Sequence, residues 1–263
     1  MYKRQRVLWA IGRVTLLEII RDKILYNIIV FAALLMALGF LAARLSFLQP
    51  DRVILDFGLS AVNLCCSALA ILAGASMLGR EFERRTLYVA LAHPISRSQF
   101  VFGKFLGLAQ VILLNWALLA AAYFVILGFA SFGGFTSNFS PALGWALILI
   151  LAQSWVLASI SILLSSFSTT SLSIIMTIGF YLVGNNISQI RLVASRVRSP
   201  VGAWMLNALS AVLPNLENFN LGTSVTYGLP VSAALLAYSV LYAGVVVTLM
   251  LVIAGLLVRG REI

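Results

Sequence analysis

A long stretch without any charge is the feature that most constrains this chain. Between Phe105 and Ile190 there is no Asp, Glu, Lys, Arg or His residue. A helix that crosses the hydrocarbon core of a bilayer needs about 20 apolar residues, so this stretch has room for three spans. In the whole sequence 62% of residues are hydrophobic and 10% are charged, whereas soluble domains carry about 25% charged residues. The sequence therefore predicts an integral membrane protein.

Six apolar segments are long enough to cross a membrane as helices. They lack the ten-residue alternation of barrel strands, and backbone polar groups in lipid have to be satisfied within the protein. We therefore predict an all-α polytopic membrane protein with six transmembrane helices. The predicted spans are residues 24–43, 57–79, 104–130, 142–165, 170–190 and 232–258.

The distribution of basic residues indicates an orientation. When the N-terminus is placed in the cytosol, most of the 18 Lys and Arg residues fall on the cytosolic side of the spans, as the positive-inside rule requires. The exception is a cluster formed by Arg191, Arg196 and Arg198, which this topology places outside. We expect both termini to be cytosolic.

The net charge of +10 does not point to a nucleic-acid partner. The basic residues lie beside apolar spans and are not interleaved with aromatic stacking platforms. Membrane lipids are the expected partners of these cations, because each contributes about 1 kcal/mol near anionic headgroups. The predicted membrane-interface anchors are Arg13, Arg21, Lys23 and Lys104.

Residues 1–23 are predicted to form a helix that lies in the membrane interface. Val7, Ile11 and Val14 recur at helical spacing, and other apolar residues fall on a second face. Such a pattern suits a helix that touches lipid on one side and neighbouring spans on the other. A solvated basic tail is the alternative.

Residues 191–231 are neither a clean span nor a hydrophilic loop. Ser199 and Pro200 have the form of a helix N-cap followed by proline at the first helical position, and apolar residues then recur three and four positions apart. We predict a short amphipathic helix at the outer membrane face that ends near Pro214. Glu217 follows, and helix capping or loop ordering is favoured over contact with a substrate.

Residues 80–98, which we name the charged segment, interrupt the apolar pattern. Glu81 and Glu83 fall at the expected start of a short helix, where acidic side chains suit the helix dipole. Pro94 ends that helix, and residues 96–99 match a capping box that begins the third span. A mixed-charge surface beside an apolar patch favours docking of a protein partner.

The sequence gives little support for catalysis or for metal binding. Glu81 and Glu83 are flanked by arginines, which favours capping, salt-bridge and docking roles over a catalytic pair. His93 is the only histidine, and the adjacent Cys65 and Cys66 do not have disulfide geometry or metal-ligand spacing. We expect no catalytic residue and no metal site in this chain.

Four short motifs follow one another around the charged segment. Residues 81–87 read EFERRTL, residues 94–97 read PISR, and Phe100 and the pair 103–104, GK, come next. This order and spacing resemble the ABC-2 type permeases, the membrane subunits of one class of ATP-driven exporters. In that family E-x-E-x-x-T-L leads to P-I/V-S-R-x-x-F and G-K at the start of the third span.

Two further elements extend the resemblance over nearly the whole chain. Residues 21–26, RDKILY, are similar to the family's entry into the first span, and residues 213–220, LPNLENFN, are similar to an element before its last span. Both are typical of a branch associated with multicopper-enzyme maturation. Arg85 is a departure, because many members have glycine there.

The resemblance implies a permease whose ATPase is a separate chain, and no G-x-x-x-x-G-K-[ST] phosphate loop occurs here. Two permease protomers, as a homodimer or a related heterodimer, would pair with two ABC ATPase copies in a prokaryotic cytoplasmic (inner) membrane. ATP and Mg would bind to the ATPase, and this chain would hold no cofactor. The helix at about 81–92 would be the coupling helix. The implied coupling residues are Glu81, Glu83, Arg84, Arg85, Thr86, Leu87, Tyr88, Leu91, Pro94 and Arg97.

The prediction is a single ABC-2 type transmembrane domain over residues 1–263. Its parts are the interfacial helix 1–23, spans 1–2 at 24–79, the coupling helix at 80–98, spans 3–5 at 99–190, the external segment 191–231, and span 6 with the tail at 232–263. An ion-driven secondary transporter would be expected to keep ionisable groups at midplane. That class and a membrane scaffold that assembles other proteins are the alternatives.

Polar residues within the spans are candidates for a transport path. Interhelical hydrogen bonding and close packing explain them first, and lining the path is the alternative. These residues are Asn63, Asn115, Gln153 and Ser159. Gly103 and Gly107 have the G-x-x-x-G spacing of close helix packing, which is weak support for a dimer face.

Overall fold

The structure is a computed structural model that describes residues 12–19, 23–45, 50–83, 97–132, 141–197 and 199–260. Regular structure in these ranges is helical throughout. The elements are α1 (12–19), α2 (Lys23–Leu45), α3 (Pro50–Glu83), α4 (Arg97–Phe132), α5 (Pro141–Ser165), α6 (Thr170–Gly184), α7 (Ile187–Ala194), α8 (Pro200–Val212), a 3-10 turn (Glu217–Phe219), α9 (Gly222–Thr226) and α10 (Ala233–Gly260).

Within the described ranges, α2, α3, α4, α5 and α10 are each long and apolar enough to cross a membrane. The predicted span 170–190 is not one straight helix, because α6 and α7 are bent by 70° relative to each other. The amides of Asn185 and Asn186 donate to the carbonyls of Tyr181 and Leu182, at 2.9 and 2.8 Å. Asparagine side chains that bond to nearby backbone favour helix ends. The fifth predicted span is therefore a bent pair of helices, with the geometry of a broken span or of a re-entrant loop.

The centre of the molecule is the pair α3 and α5. The α5 helix is the most buried of the spanning helices, as a helix that is apolar on all sides is expected to be. Gly74 allows close approach, since a Cβ there would lie 2.8 Å from the Cβ of Ser161. The Ser161 hydroxyl donates to the carbonyl of Ile71 at 2.9 Å.

Two tryptophans fix the position of α4 against α5. The indole N–H of Trp116 on α4 donates to the carbonyl of Leu147 at 2.8 Å. The indole N–H of Trp155 on α5 donates to the carbonyl of Ala109 at 3.3 Å. Buried indoles need an acceptor, and these reciprocal bonds supply one from each neighbouring helix. A shift of either helix along the other would break both bonds.

The α1 helix packs on the first half of α4. A Cβ on Gly107 would lie 2.6 Å from the Cβ of Thr15, and a Cβ on Gly12 would lie 3.6 Å from the carbonyl oxygen of Gly103. The G-x-x-x-G pair is therefore used within the chain, where it brings α1 close to α4. Arg13 on the opposite side of α1 is exposed, consistent with the predicted interfacial helix.

Lys104, predicted to be a membrane-interface anchor, is covered by protein and lies against α1. Its side chain is buried, with 6% of the residue exposed, and its ammonium lies 3.5 Å from the Glu18 carboxylate on α1. The ring of Phe100 lies 5.7 Å from the same ammonium. A buried Lys requires such compensation. Of the other predicted anchors, Lys23 begins α2 and Arg21 lies outside the described residues.

The charged segment lies mostly outside the described residues, which resume at residue 97. Its first residues do not start a new helix as predicted, because α3 continues without a break through Glu83. Glu81 and Glu83 are thus in the last described turn of α3. The expected helix start fails because no residue between 79 and 83 interrupts the helical backbone. Arg97 begins α4.

A helix is present after Ser199, as predicted; its amphipathic role at the outer membrane face stays a prediction. Pro200 is the first residue of α8, and the Ser199 hydroxyl accepts a hydrogen bond from the Gly202 N–H at 3.4 Å. The helix ends at Val212, before Pro214. Trp204 and Met205 on α8 are exposed. Capping residues and apolar spacing were sufficient to locate this element.

Replacing Gly58 by alanine tests the packing of α3 on α4. A Cβ at Gly58 would lie 2.0 Å from the ring of Tyr123, whose hydroxyl donates to the carbonyl of Leu55 at 3.0 Å. Gly58→Ala should lower the free energy of unfolding by about 1–3 kcal/mol, the cost of overpacking. Gly144→Ala on α5 is the control, because nothing lies within 4 Å of its Cβ position. Thermal unfolding of the purified full chain measures both; equal melting temperatures for the two variants would contradict this packing.

Candidate functional site

Residues 213–220, which we name the return segment, close the break between α6 and α7. The N–H of Leu216 donates to the carbonyl of Gly184, the last residue of α6, at 3.0 Å. Leu216 is fully buried. A Cβ on Gly184 would lie 2.8 Å from Cγ of Leu216, so glycine is required for this approach. The last residue of α6 is thus hydrogen-bonded and covered by another part of the chain.

Glu217 stabilises the start of α7 on the other side of the break. Its carboxylate oxygen Oε2 accepts hydrogen bonds from the backbone N–H of Ser188, at 3.1 Å, and from the Ser188 hydroxyl, at 2.6 Å. Ser188 is the second residue of α7, where backbone donors have no partner within the helix. A carboxylate also suits the positive end of the helix dipole. The capping role predicted for Glu217 is confirmed.

The return segment is also attached to α10. The N–H of Asn215 donates to the Tyr242 hydroxyl at 2.8 Å. The Ser239 hydroxyl has two acceptors within reach, the carbonyl of Asn218 at 3.2 Å and the carbonyl of Leu235 in its own helix at 2.9 Å. The buried ring of Phe219 packs near Tyr242, with 6.2 Å between ring centroids. The segment therefore connects the break to the last spanning helix.

These contacts place irregular backbone well inside the bundle. Tyr242 lies nine residues after Ala233, the start of α10, which corresponds to about 14 Å along the helix axis. Gln153, whose amide donates to Asn185 at 3.3 Å, lies twelve residues after Pro141, the start of α5, or about 18 Å along its axis. Backbone outside helices is tolerated at such depth only where protein covers it or where it lines a water-filled cavity.

Four polar residues form one face of α3 beside the return segment. Asp56, Ser60, Asn63 and Ser67 are spaced by four, three and four residues, which places them on the same side of a helix. We name this set the polar face. The Ser67 hydroxyl donates to Asn63 Oδ1 at 3.3 Å. All four lie within the spanning part of α3, where polar side chains are uncommon.

A polar pocket of about 140 Å³ lies between the polar face, α5 and the return segment. The α3 side contributes a carboxylate, a hydroxyl and an amide, and the α5 side contributes two apolar residues. The end of the return segment and the start of α9 supply further polar groups. The lining residues are Asp56, Leu59, Ser60, Asn63, Ala146, Ile150, Phe219, Asn220, Leu221, Gly222 and Thr223.

The four predicted pathway residues separate into two groups. Asn63 lines the pocket, and the fully buried Gln153 bonds to Asn185 at the break. Asn115 is buried on α4 with its amide nitrogen 3.9 Å from the sulfur of Cys66. The Ser159 hydroxyl donates to the Val156 carbonyl of its own helix at 2.7 Å. The contacts of Asn115 and Ser159 are packing contacts.

Sequence reasoning missed Asp56 and Ser60, which line the same pocket as Asn63. Their signal was present as polar residues at positions i, i+4 and i+7 in an otherwise apolar span. An ionisable residue within a spanning helix is by itself an indication of a functional site. The contributions of Asn220 and Thr223 depend on the fold of the return segment and have no comparable local signal.

The sequence profile of the ABC-2 family transporter protein matches residues 9–258. The chain belongs to the ABC-2 transporter family. This ABC-2 family member is a multi-pass membrane protein and a permease component of an ABC transporter, and membership of the family in general implies an ABC ATPase partner. No curated protein matches the chain. The bent pair of helices, the return segment and the pocket all lie within the matched residues.

Removing the Glu217 cap tests how the break is stabilised. Glu217→Ala should lower the free energy of unfolding by about 1–2 kcal/mol, because the first turn of α7 loses the acceptor for the Ser188 N–H. Glu217→Gln should cost less, since one side-chain oxygen is retained. Thermal unfolding and hydrogen exchange at Ser188 measure these changes. If Ser188→Ala and Glu217→Ala had fully additive effects, the two side chains would not be coupled as the distances indicate.

Proposed function

We propose that this protein is the permease subunit of an ATP-driven exporter, in which two protomers form the path and two ATPase subunits drive it. The observation that carries this proposal is the ABC-2 family match over residues 9–258. The sequence has no phosphate loop of its own, which supports a separate ATPase that binds ATP and Mg. The motifs at 21–26 and 213–220 support placement in the multicopper-maturation branch.

In this proposal, α3 connects the ATPase to the polar face. The proposed coupling segment at about 81–92 begins within the last described turn of α3, which is continuous from Pro50 to Glu83. A helix of 34 residues is about 51 Å long and transmits displacement of one end to the other. Closure of the ATPase dimer would move residues 81–92 and thereby shift Asp56 and Ser60 against the return segment. The coupling residues are those named from the family motif, from Glu81 to Arg97.

The proposed orientation places the Glu83 end of α3 in the cytosol of a prokaryotic cell, with both termini on that side. The excess of Lys and Arg near that end supports it. The pocket then lies in the outer half of the cytoplasmic membrane. Cargo would reach the pocket from the membrane or from the dimer axis and leave on the outer side.

Replacing residues 84–92 by a Gly/Ser linker of equal length tests the coupling role. The variant should insert normally, because the described helices are untouched, but it should lose at least about tenfold in association with its ATPase, since the docking surface is removed. Co-purification with the ATPase measures association. Glu83→Lys should also weaken the association with the ATPase. Glu262→Lys, which changes an acidic residue outside the segment, should leave that association unchanged. Full ATPase association by the linker variant would contradict the coupling assignment.

A further inference from the structure

We propose that the pocket binds a primary ammonium group, carried by an amphipathic cationic molecule that is the cargo of this permease. The proposal rests on the transport function proposed above and adds a class of substrate to it. Three properties of the pocket and its surroundings carry it: a carboxylate without an ion-pair or hydrogen-bond partner among the described residues, a lining that offers acceptor oxygens, and exposed apolar side chains on the neighbouring surface of α3.

Asp56, an exposed residue of α3, is the negative charge that lines the pocket. It forms no ion pair or hydrogen bond with any residue in the described ranges. Its neighbour Arg52, one turn earlier on α3, has its guanidinium 4.8 Å from the centre of the Tyr227 ring. A carboxylate in a spanning helix is costly unless a cation compensates it. A bound cation would supply that compensation.

The other polar lining groups are suited to a donor ligand. Ser60 and Thr223 carry hydroxyl groups, and Asn63 and Asn220 carry amide oxygens. Both amide oxygens already accept one hydrogen bond, from Ser67 and from the Gly222 N–H respectively, and a carbonyl oxygen has a second lone pair. An ammonium has three N–H donors and no acceptor. Among the described residues no Lys or Arg lines the pocket, so an anion there would have no cationic partner and would face the Asp56 carboxylate.

The size of the pocket favours a head group over a metal ion or a whole molecule. Its volume of about 140 Å³ exceeds the roughly 30 Å³ share of one water molecule and is below the roughly 300 Å³ of small drug sites. Within the described part of the chain there is no group of three His, Cys, Asp or Glu side chains that could hold a metal ion. An aminoethyl or similar head group has the appropriate size.

The apolar part of the proposed ligand follows from the neighbouring surface of α3. Phe57 and Leu64 are 45% and 44% exposed, although both lie in the spanning part of the helix. Leu64 is one turn beyond Ser60, and Phe57 adjoins Asp56 along the chain. A molecule with its ammonium at Asp56 would lay its tail along these side chains, which favours an amphiphile over a free small amine.

Octylamine, 1-octanol and octanoate at equal concentrations distinguish the head groups on a common tail. The melting temperature of the purified full chain is measured with each, because a ligand that binds only the folded state raises it. Near saturation, octylamine should raise the melting temperature by about 3 °C or more, and the other two should not. Asp56→Asn should abolish the octylamine shift, and Asp51→Asn, the same change on the same helix outside the pocket, should retain it.

An equal octylamine shift in Asp56→Asn, or an equal shift with 1-octanol, would overturn the ammonium site. An equal shift with NaCl at the same concentration would overturn the amine class in favour of a metal cation. The assay contains no ATPase, so a failure there contradicts the ammonium site alone. Retained ATPase association in the 84–92 linker variant contradicts the proposed coupling without affecting the binding result.

Discussion

The backbone N–H and C=O groups at a break in a helix need hydrogen-bond partners inside an apolar protein. The rest of this structure depends on which groups supply those partners. The return segment meets both ends of the break: Leu216 bonds to the end of α6 at Gly184, and Glu217 bonds to the start of α7 at Ser188. Leu216 and Gly184 are buried, so losing their bond would leave polar backbone without a partner, which is costly in lipid. The same segment then provides one wall of the pocket.

The spanning helices and several caps were predictable because their signals are local. Length and hydropathy indicated α2, α3, α4, α5 and α10, and the capping roles of Ser199 and Glu217 followed from residue type and position. The break in the fifth span was not predicted, because the apolar run continues to Ile190 without a proline. The evidence for it was the pair of adjacent asparagines at 185 and 186, whose side chains compete for backbone acceptors.

The surroundings of the predicted site residues depend on contacts between distant parts of the chain. Lys104 has the position of an interface anchor in the sequence, but packing of α1 buries it beside Glu18. Asn115 lies near Cys66 of α3, in agreement with the packing role that was the first explanation for it. Asp56 becomes part of a pocket only because the return segment folds back against α3. The α3 helix thus joins the motif typical of the family, at one end, to a polar pocket near the other.

The central claim is that the pocket keeps polar, hydrated space at a depth where the rest of the bundle is apolar. Ser60 lines the pocket, and Ile148 is an exposed apolar residue on the neighbouring α5, close to the same depth, since Ile71 and Ser161 meet further along the two helices. With Cys65 and Cys66 replaced by alanine, Ser60→Cys and Ile148→Cys should be treated with a charged thiol reagent in intact membranes. The account predicts that the cysteine at 60 reacts at least about tenfold faster, because thiolate chemistry requires water. Equal, slow labelling at both positions would contradict it.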